Sequence, residues 1–214
     1  MMVDNKNNMI KAIFFDLCGV IITLGDKEFC DELSKRINIK SKKILDVFYK
    51  YLGENETGKI TEEEFYKKMY DELEVSFDSE ETKNIRTSFR IEVPRMREFV
   101  TKLKKTYLVG YISNDAKEMA RRCDQKFKLN ELFNTGFLAY QVGARKDSLK
   151  LFLSILEQVN LRPQECVFLD DKEKNLIEAR KLGFKTIVFK NKDQLVNELV
   201  SIGVKIESRT REFC

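Results

Sequence analysis

Histidine is absent from this chain, and proline occurs only twice in its 214 residues. Without histidine there is no Ser-His or Cys-His nucleophilic pair and no imidazole metal ligand. Acid-base or metal chemistry must therefore come from carboxylates, lysines and thiols. The five cysteines, Cys18, Cys30, Cys123, Cys166 and Cys214, are an odd number, and none forms a CxxC pair. That argues against a disulfide framework or a zinc knuckle and points to a reducing compartment. No apolar run approaches the ~20 residues of a membrane-spanning helix. The start, "MMVDNKNNMI", is polar and lacks the apolar stretch of a secretion signal. The expected location is the cytoplasm, with no membrane partner. Lysine and arginine (39) nearly balance aspartate and glutamate (35), for a net charge of +4. No dense basic cluster is interleaved with aromatics, so nucleic acid is not an expected partner.

What is present describes a helix-rich globular protein: 43% hydrophobic and 35% charged residues in a length that fits one large domain or a core with a modest insert. Short apolar runs recur at "KAIFFDL", "YLVGYIS", "GFLAY", "CVFLDD" and "FKTIVF". Amphipathic stretches separate the later ones, at Arg95–Lys105, Ala116–Lys128, Leu149–Val159, Asn175–Leu182 and Gln194–Ser201. Continuous buried strands alternating with helices predict an α/β fold, a doubly wound, five-stranded parallel sheet ordered 3-2-1-4-5. Between the first two strand runs, residues 24–92 carry helical spacing only. "DKEFCDELSKRI", "SKKILDVFYKYL", "TEEEFYKKMYDEL" and "DSEETKNIRTSF" each open on a candidate Ser, Thr or Asp cap, and Gly53 and Gly58 are expected to break the middle. The expected division is a core of residues 1–23 and 93–214 and a helical cap domain of residues 24–92. An insert at that point lies over the carboxyl ends of the strands, where open α/β sheets bind ligands. The closing "KIESRTREFC" reads as a polar, frayed tail.

Four motifs fall at strand ends. Asp16 ends the first run, although a lone aspartate there is more often a turn residue. Ser113 and Asn114 follow the second run in "SND", where such residues usually cap the next helix, or offer a hydroxyl and free N–H groups to an anion. Lys146 lies before a helix after the third run, where a positive charge opposes the helix dipole. Asp170 and Asp171 close the fourth run. Adjacent carboxylates repel unless a cation stands between them, and oxygen-rich sites of this kind suit Mg²⁺. A solvated acidic loop is the plainer explanation of that pair alone. The order of the four is more specific than any member, because a doubly wound sheet gathers all of them around one point.

This arrangement resembles the haloacid dehalogenase-like hydrolase superfamily along nearly the whole chain. "DLCGV" is similar to the first motif, Asp-x-Asp-Gly-Thr/Val; Ser113, Lys146 and the pair at 170–171 match the next three. "VFLDDKEKNLIEARKLGF" resembles the fourth motif with its following helix. "YQVGARK" is similar to the subgroup of sugar-phosphate phosphatases and amino-terminal domains of soluble epoxide hydrolases. The resemblance implies that Asp16 attacks a phosphoryl group of a small phosphorylated metabolite and forms an aspartyl-phosphate. It implies Mg²⁺ held by Asp16, the backbone carbonyl of Cys18, Asp170 and Asp171, with Ser113, Asn114 and Lys146 on the substrate. Two positions depart from the pattern: Cys18 replaces the second aspartate, and Asp147 replaces a proline.

Cys18 stands where the family places its acid-base residue. A thiol of pKa ~8.5 is mostly protonated at neutral pH, so it can donate but is a poor base. General acid-base catalysis is typically worth ~10²–10⁴-fold, which is roughly 3–5 kcal/mol of barrier. The expectation is a weakened phosphatase favouring good leaving groups, such as sugar 1-phosphates and acyl phosphates. A binding or regulatory protein that has lost turnover is the alternative. A metal-independent dehalogenase ranks lower, as does a redox switch at Cys18. The sequence carries no motif for oligomeric state.

Overall fold

The computed structural model describes residues 9–206; the first eight residues, and the expected tail from residue 207 onward, lie outside that range. Five parallel strands, β1 (Ala12–Asp16), β2 (Leu108–Ser113), β3 (Thr135–Leu138), β4 (Cys166–Asp170) and β5 (Lys185–Val188), form one sheet. Its order is β3-β2-β1-β4-β5, as the alternation of strand and helix runs predicts. Strand β1 is buried throughout because both faces are covered. One apolar cluster joins its Ile13 and Phe15 to Met96, Val100 and Leu195. The opposite cluster joins Ala12 and Phe14 to Phe152, Ile155 and Leu176. Each fully buried Phe, Ile or Leu contributes about 1.5–3 kcal/mol relative to exposure.

The crossover helices are α5 (Met96–Leu103), α6 (Lys117–Phe127), α9 (Leu149–Val159) and α10 (Glu173–Leu182), with α11 (Lys192–Ser201) after the last strand. Short helices α7 (Leu129–Leu132) and α8 (Ala139–Val142) flank β3. The run "GFLAY" therefore leaves the sheet two residues early. Gln141 accepts a hydrogen bond from the Leu138 backbone N–H and starts α8 there. No helix among the described residues is long and apolar enough to cross a membrane.

Residues 26–88 form α1 (Asp26–Ile37), α2 (Ser41–Glu56), α3 (Glu62–Leu73) and α4 (Ser79–Ser88), packed around their own cluster of Phe29, Phe48, Phe65, Met69 and Leu73. Thr61 and Asp78 cap α3 and α4 as expected. Asp26 and Ser41 do not cap; Gly25 and Lys40 precede their helices without a side-chain bond. Asp26 is thereby free to point elsewhere. Gly53 does not break α2, which runs on to Glu56. Its bare backbone instead leaves room for Arg145, whose Nη1 would lie 3.1 Å from a Cβ at that position. Gly58 does mark the expected break, beyond the helix, in a left-handed conformation at φ 72°.

The two chain segments that lead into and out of this helical unit are bonded to each other. Thr23 N–H donates to Ile91 O and Val93 N–H to Ile21 O, both at 2.8 Å. The Thr23 hydroxyl donates to Phe89 O at 2.6 Å and accepts from Ile91 N–H at 2.9 Å.

Candidate active site

The register of the sheet sets the site. Asp16 pairs with Ile112, one residue before Ser113, and Phe15 pairs with Leu169, one before Asp170. Three strands therefore deliver polar residues to one edge. Lys146, from the loop before α9, reaches under them and donates to Asp16 Oδ1 at 2.5 Å and to Asp170 Oδ2 at 2.8 Å. It is almost fully buried, which removes the oddity of a lysine ahead of a helix: its partners are carboxylates, not the helix dipole. Burial opposes its charge, but Asp16 and Asp170 outweigh that and hold its pKa above the ordinary lysine value.

Asp170 is further held by the backbone N–H of Lys172 at 2.8 Å and by the Asn175 amide at 2.9 and 3.0 Å. Burial raises its pKa, but Lys146 and these donors together hold it below the usual carboxylate range. Asp16 goes the other way, pushed up to about 8 by burial; Lys146 opposes the rise and Asp170 adds to it. Asp171 is also raised, chiefly by burial, with Lys172 lowering it and Asp170 raising it.

Carboxylate oxygens of Asp16, Asp170 and Asp171 lie within 4.8 Å of one another. Three carboxylates face one buried ammonium, so the cluster is short of positive charge. Asp171 Oδ1 is buried without a hydrogen-bond partner. The chain approaches that carboxylate at Gly19, φ 101°, where a Cβ would lie 2.6 Å from the Asp171 carboxyl carbon. An unpaired oxygen in an oxygen-only, electron-rich cradle fits a hard divalent cation such as Mg²⁺.

Asp16, Cys18, Ser113, Asn114 and Lys146 line one cavity of about 140 Å³. Asn114 Oδ1 accepts from the Lys146 backbone N–H at 3.1 Å, so this side chain fixes the lysine loop against the end of β2. Neither Ser113 nor Asn114 caps α6, whose first flanking residue is Ala116. Ser113 donates its hydroxyl to Asp115 Oδ2 at 3.1 Å. Cys18 donates its thiol to the same oxygen at 3.2 Å, and Arg90 Nη1 lies 2.8 Å from the sulfur. Arg90 Nη2 meets Asp115 Oδ1 at 3.4 Å. Burial pushes the Cys18 thiol well above its usual pKa, against the pull of Arg90. For Asp115, burial is outweighed by Arg90 and by the donors Cys18 and Ser113, and its carboxyl stays low. The thiol is thus protonated beside an ionised carboxylate.

Asp115, Arg90, Arg86, Asp26, Glu56 and Arg145 also line the cavity, and the sequence pointed to none of them as a site residue, Asp26 being expected only as a helix cap. Asp115 had a signal, being next to Ser113 and Asn114 at a strand end. The others come from the helical unit or a loop, where one charged residue looks like another until the fold buries it.

The chain matches the model of the haloacid dehalogenase-like hydrolase family over residues 10–195. It is 29% identical over 203 residues to the D-ribitol-5-phosphate phosphatase of Bacteroides thetaiotaomicron, covering 91% of this chain and 98% of that protein. It is similar to the crystal structure of a HAD family enzyme from the same organism in complex with magnesium and inorganic phosphate. That match has a TM-score of 0.70 and 26% identity, over 85% of this chain and 94% of the other. The fold is also shared with the L-2-haloacid dehalogenase of Xanthobacter autotrophicus, at 16% identity and a TM-score of 0.66, over 92% and 85% of the two chains.

Proposed function

Because the chain belongs to the haloacid dehalogenase-like hydrolase family, we propose that it is a Mg²⁺-dependent phosphatase of small phosphate esters, of sugar or acyl phosphate type, acting through an aspartyl-phosphate. The observation that carries this reading is Asp16 at a strand end, paired with buried Lys146 and close to the unpaired Asp171 oxygen. Phosphatase relatives and a magnesium and phosphate complex among similar structures support it.

In this reading Asp16, Asp170, Asp171 and the backbone carbonyl of Cys18 hold the metal. Bound there, Mg²⁺ offsets the carboxylate charge and that of the transferring phosphoryl group. Asp16 attacks phosphorus while the bond to the leaving oxygen breaks, and the electron pair goes to that oxygen. Lys146 holds a non-transferred phosphoryl oxygen, the Ser113 hydroxyl holds another once it turns from Asp115 to the substrate, and Asn114 keeps the Lys146 loop in place. The leaving oxygen takes its proton from solvent; water then attacks phosphorus and loses a proton to solvent, the bond from phosphorus to Asp16 oxygen breaks, and its electron pair returns to the Asp16 carboxylate.

No carboxylate stands at position 18 to protonate the leaving oxygen or deprotonate the water. The general acid-base share of the rate, ~10²–10⁴-fold, is therefore reduced, and good leaving groups are favoured. The helices of residues 24–92 act as a cap domain over the cavity, on a core formed by residues 1–23 and 93–214. The substrate is a small phosphorylated metabolite, and the four described cysteines, all buried free thiols, suit a reducing cytoplasm. A second reading, a phosphate-ester binding protein without turnover, draws on one observation: the Cys18 thiol is already engaged by Asp115 and Arg90. A phosphate-release screen over sugar, acyl, nucleotide and aryl phosphates, with and without Mg²⁺, separates the two. Metal-dependent release from any of them supports the enzyme; none supports the binding role.

A further inference from the structure

The cavity that Lys146 lines also carries polar side chains with atoms that the fold buries and leaves unpaired. Asp26 Oδ1, Arg86 Nε and Nη1, and Arg90 Nε have no hydrogen-bond partner. Asp26, Arg86 and Arg90 are 2%, 4% and 1% exposed, so these groups are withdrawn from bulk water. Asp26 Oδ1 stands 3.8 Å from Arg86 Nη2 and 3.7 Å from Arg90 Nη2. Both are ion-pair distances, too long for direct hydrogen bonds and within reach of a small group that bonds to both sides.

The surroundings keep the gap open. The Arg86 guanidinium lies 4.8 Å from the Phe48 ring centroid, on the apolar cluster of the helical unit. Arg90 is bound to Cys18, the Thr23 carbonyl and Asp115. Asp26 is oriented by the Tyr49 hydroxyl, which donates to its Oδ2 at 3.4 Å. Collapse of the acid onto either arginine would break one of these contacts.

A group that fills the gap must donate to a carboxylate and accept from a guanidinium at once. An alcohol hydroxyl does both, whereas a second phosphate only accepts and an alkyl or aryl group does neither.

We infer that Asp26, Arg86 and Arg90 form a seat for hydroxyl groups on the non-phosphate end of the substrate, so the ester is a polyhydroxylated one. This rests on the phosphatase reading above and narrows it, setting simple acyl and alkyl phosphates aside. A seat built around a hydroxyl rejects the analogue that lacks it, because its own polar groups are then left buried and unpaired.

The test compares D-ribitol 5-phosphate with n-pentyl phosphate, a chain of the same length without hydroxyls. For the wild-type protein with Mg²⁺, kcat/KM for the pentitol ester should exceed that for the pentyl ester by ~10²-fold or more. Asp26→Ala should shrink that ratio by ~10-fold or more, a loss matching a hydrogen bond to a charged group. Tyr49→Phe, at a half-exposed position that tolerates the change, should shrink it by a smaller factor. Calorimetric binding of the same two esters to metal-free protein gives a readout without turnover. Equal kcat/KM for both esters with good turnover would overturn the seat and leave the phosphatase standing. No turnover, with the pentitol ester still bound more tightly and the preference weakened by either substitution, would keep the seat and remove the phosphatase. Equal binding without turnover would remove both, and the gap would then be an ordinary water site.

Discussion

The Cys18 thiol and the Asp115 carboxylate form a buried hydrogen bond of 3.2 Å, with the Arg90 guanidinium closing on both. The position expected to hold an acid-base carboxylate thus faces a different one, contributed by the loop after β2. The cation beside them comes from the exit of the helical unit.

Replacing Cys18 by Asp would set two carboxylates against each other with Arg90 between them. Like charges so close cannot both ionise freely, so one of them retains a proton. Cys18→Asp should raise turnover of alkyl phosphates by ~10²–10⁴-fold, the range in which a general acid acts, and raise aryl phosphates least. Adding Asp115→Asn should lower the pKa of the introduced acid and move the alkaline limb of the kcat profile to lower pH. A fall in activity with Cys18→Asp would make the thiol itself part of the mechanism.

Arg90 is almost fully buried and is the cation nearest Asp115. Arg90→Met leaves that carboxylate buried and unpaired, and should destabilise the fold by ~3–5 kcal/mol, the usual penalty for breaking a buried pair from one side. Urea denaturation of Arg90→Met, Asp115→Asn and the double variant measures the coupling. Additive losses would show that the pair is not a unit.

Mg²⁺ binding to the folded state should raise the melting temperature, with ~2.7 kcal/mol of stabilisation at a hundred times its dissociation constant. Asp171→Ala should abolish this response. An unchanged metal response in that variant would place the cation elsewhere.

Glu56, on α2 in the cavity wall, has its carboxyl pushed up to about 7 by burial, with Arg145 opposing and Asp115 adding to the rise. Because the folded-state value lies above the ordinary 4.5, the folded protein keeps a proton there that the unfolded chain has lost. The stability from this group is therefore full below pH 4.5 and is lost as pH rises through about 7. Glu56→Gln should flatten that part of the stability curve and stabilise the protein at pH 8 by ~1–2 kcal/mol, or ~2–8 °C in Tm. Thermal melts from pH 4 to 8 decide it, and a variant melting lower than wild type at pH 8 would show that the ion pair with Arg145 dominates.

The sheet was legible because its evidence is local: each strand is a short apolar run, and each crossover helix repeats its apolar residues at helical spacing. Asp16, Lys146 and Asp170 were legible through their places at strand ends, which the topology converts into contacts. The acid wall and arginines of the helical unit were not. Asp26 looked like a helix cap and is instead the residue after one, with a side chain that the fold turns into the cavity. Gly53 looked like a break because glycine weakens helices, yet the helix runs through it and its missing side chain makes room for Arg145. In both cases tertiary contacts override a local preference of ~1 kcal/mol.

The paired bonds between residues 21–23 and 91–93 bear on how the chain folds. The sheet meets the helical unit through two neighbouring segments whose ends are already joined, so closing the long excursion adds entropy only as the logarithm of its length. A short turn bridging Thr23 to Ile91 would present the sheet with almost the same boundary. The boundary that the sheet sees is therefore set by residues 21–23 and 91–93 rather than by the length of the helical segment between them.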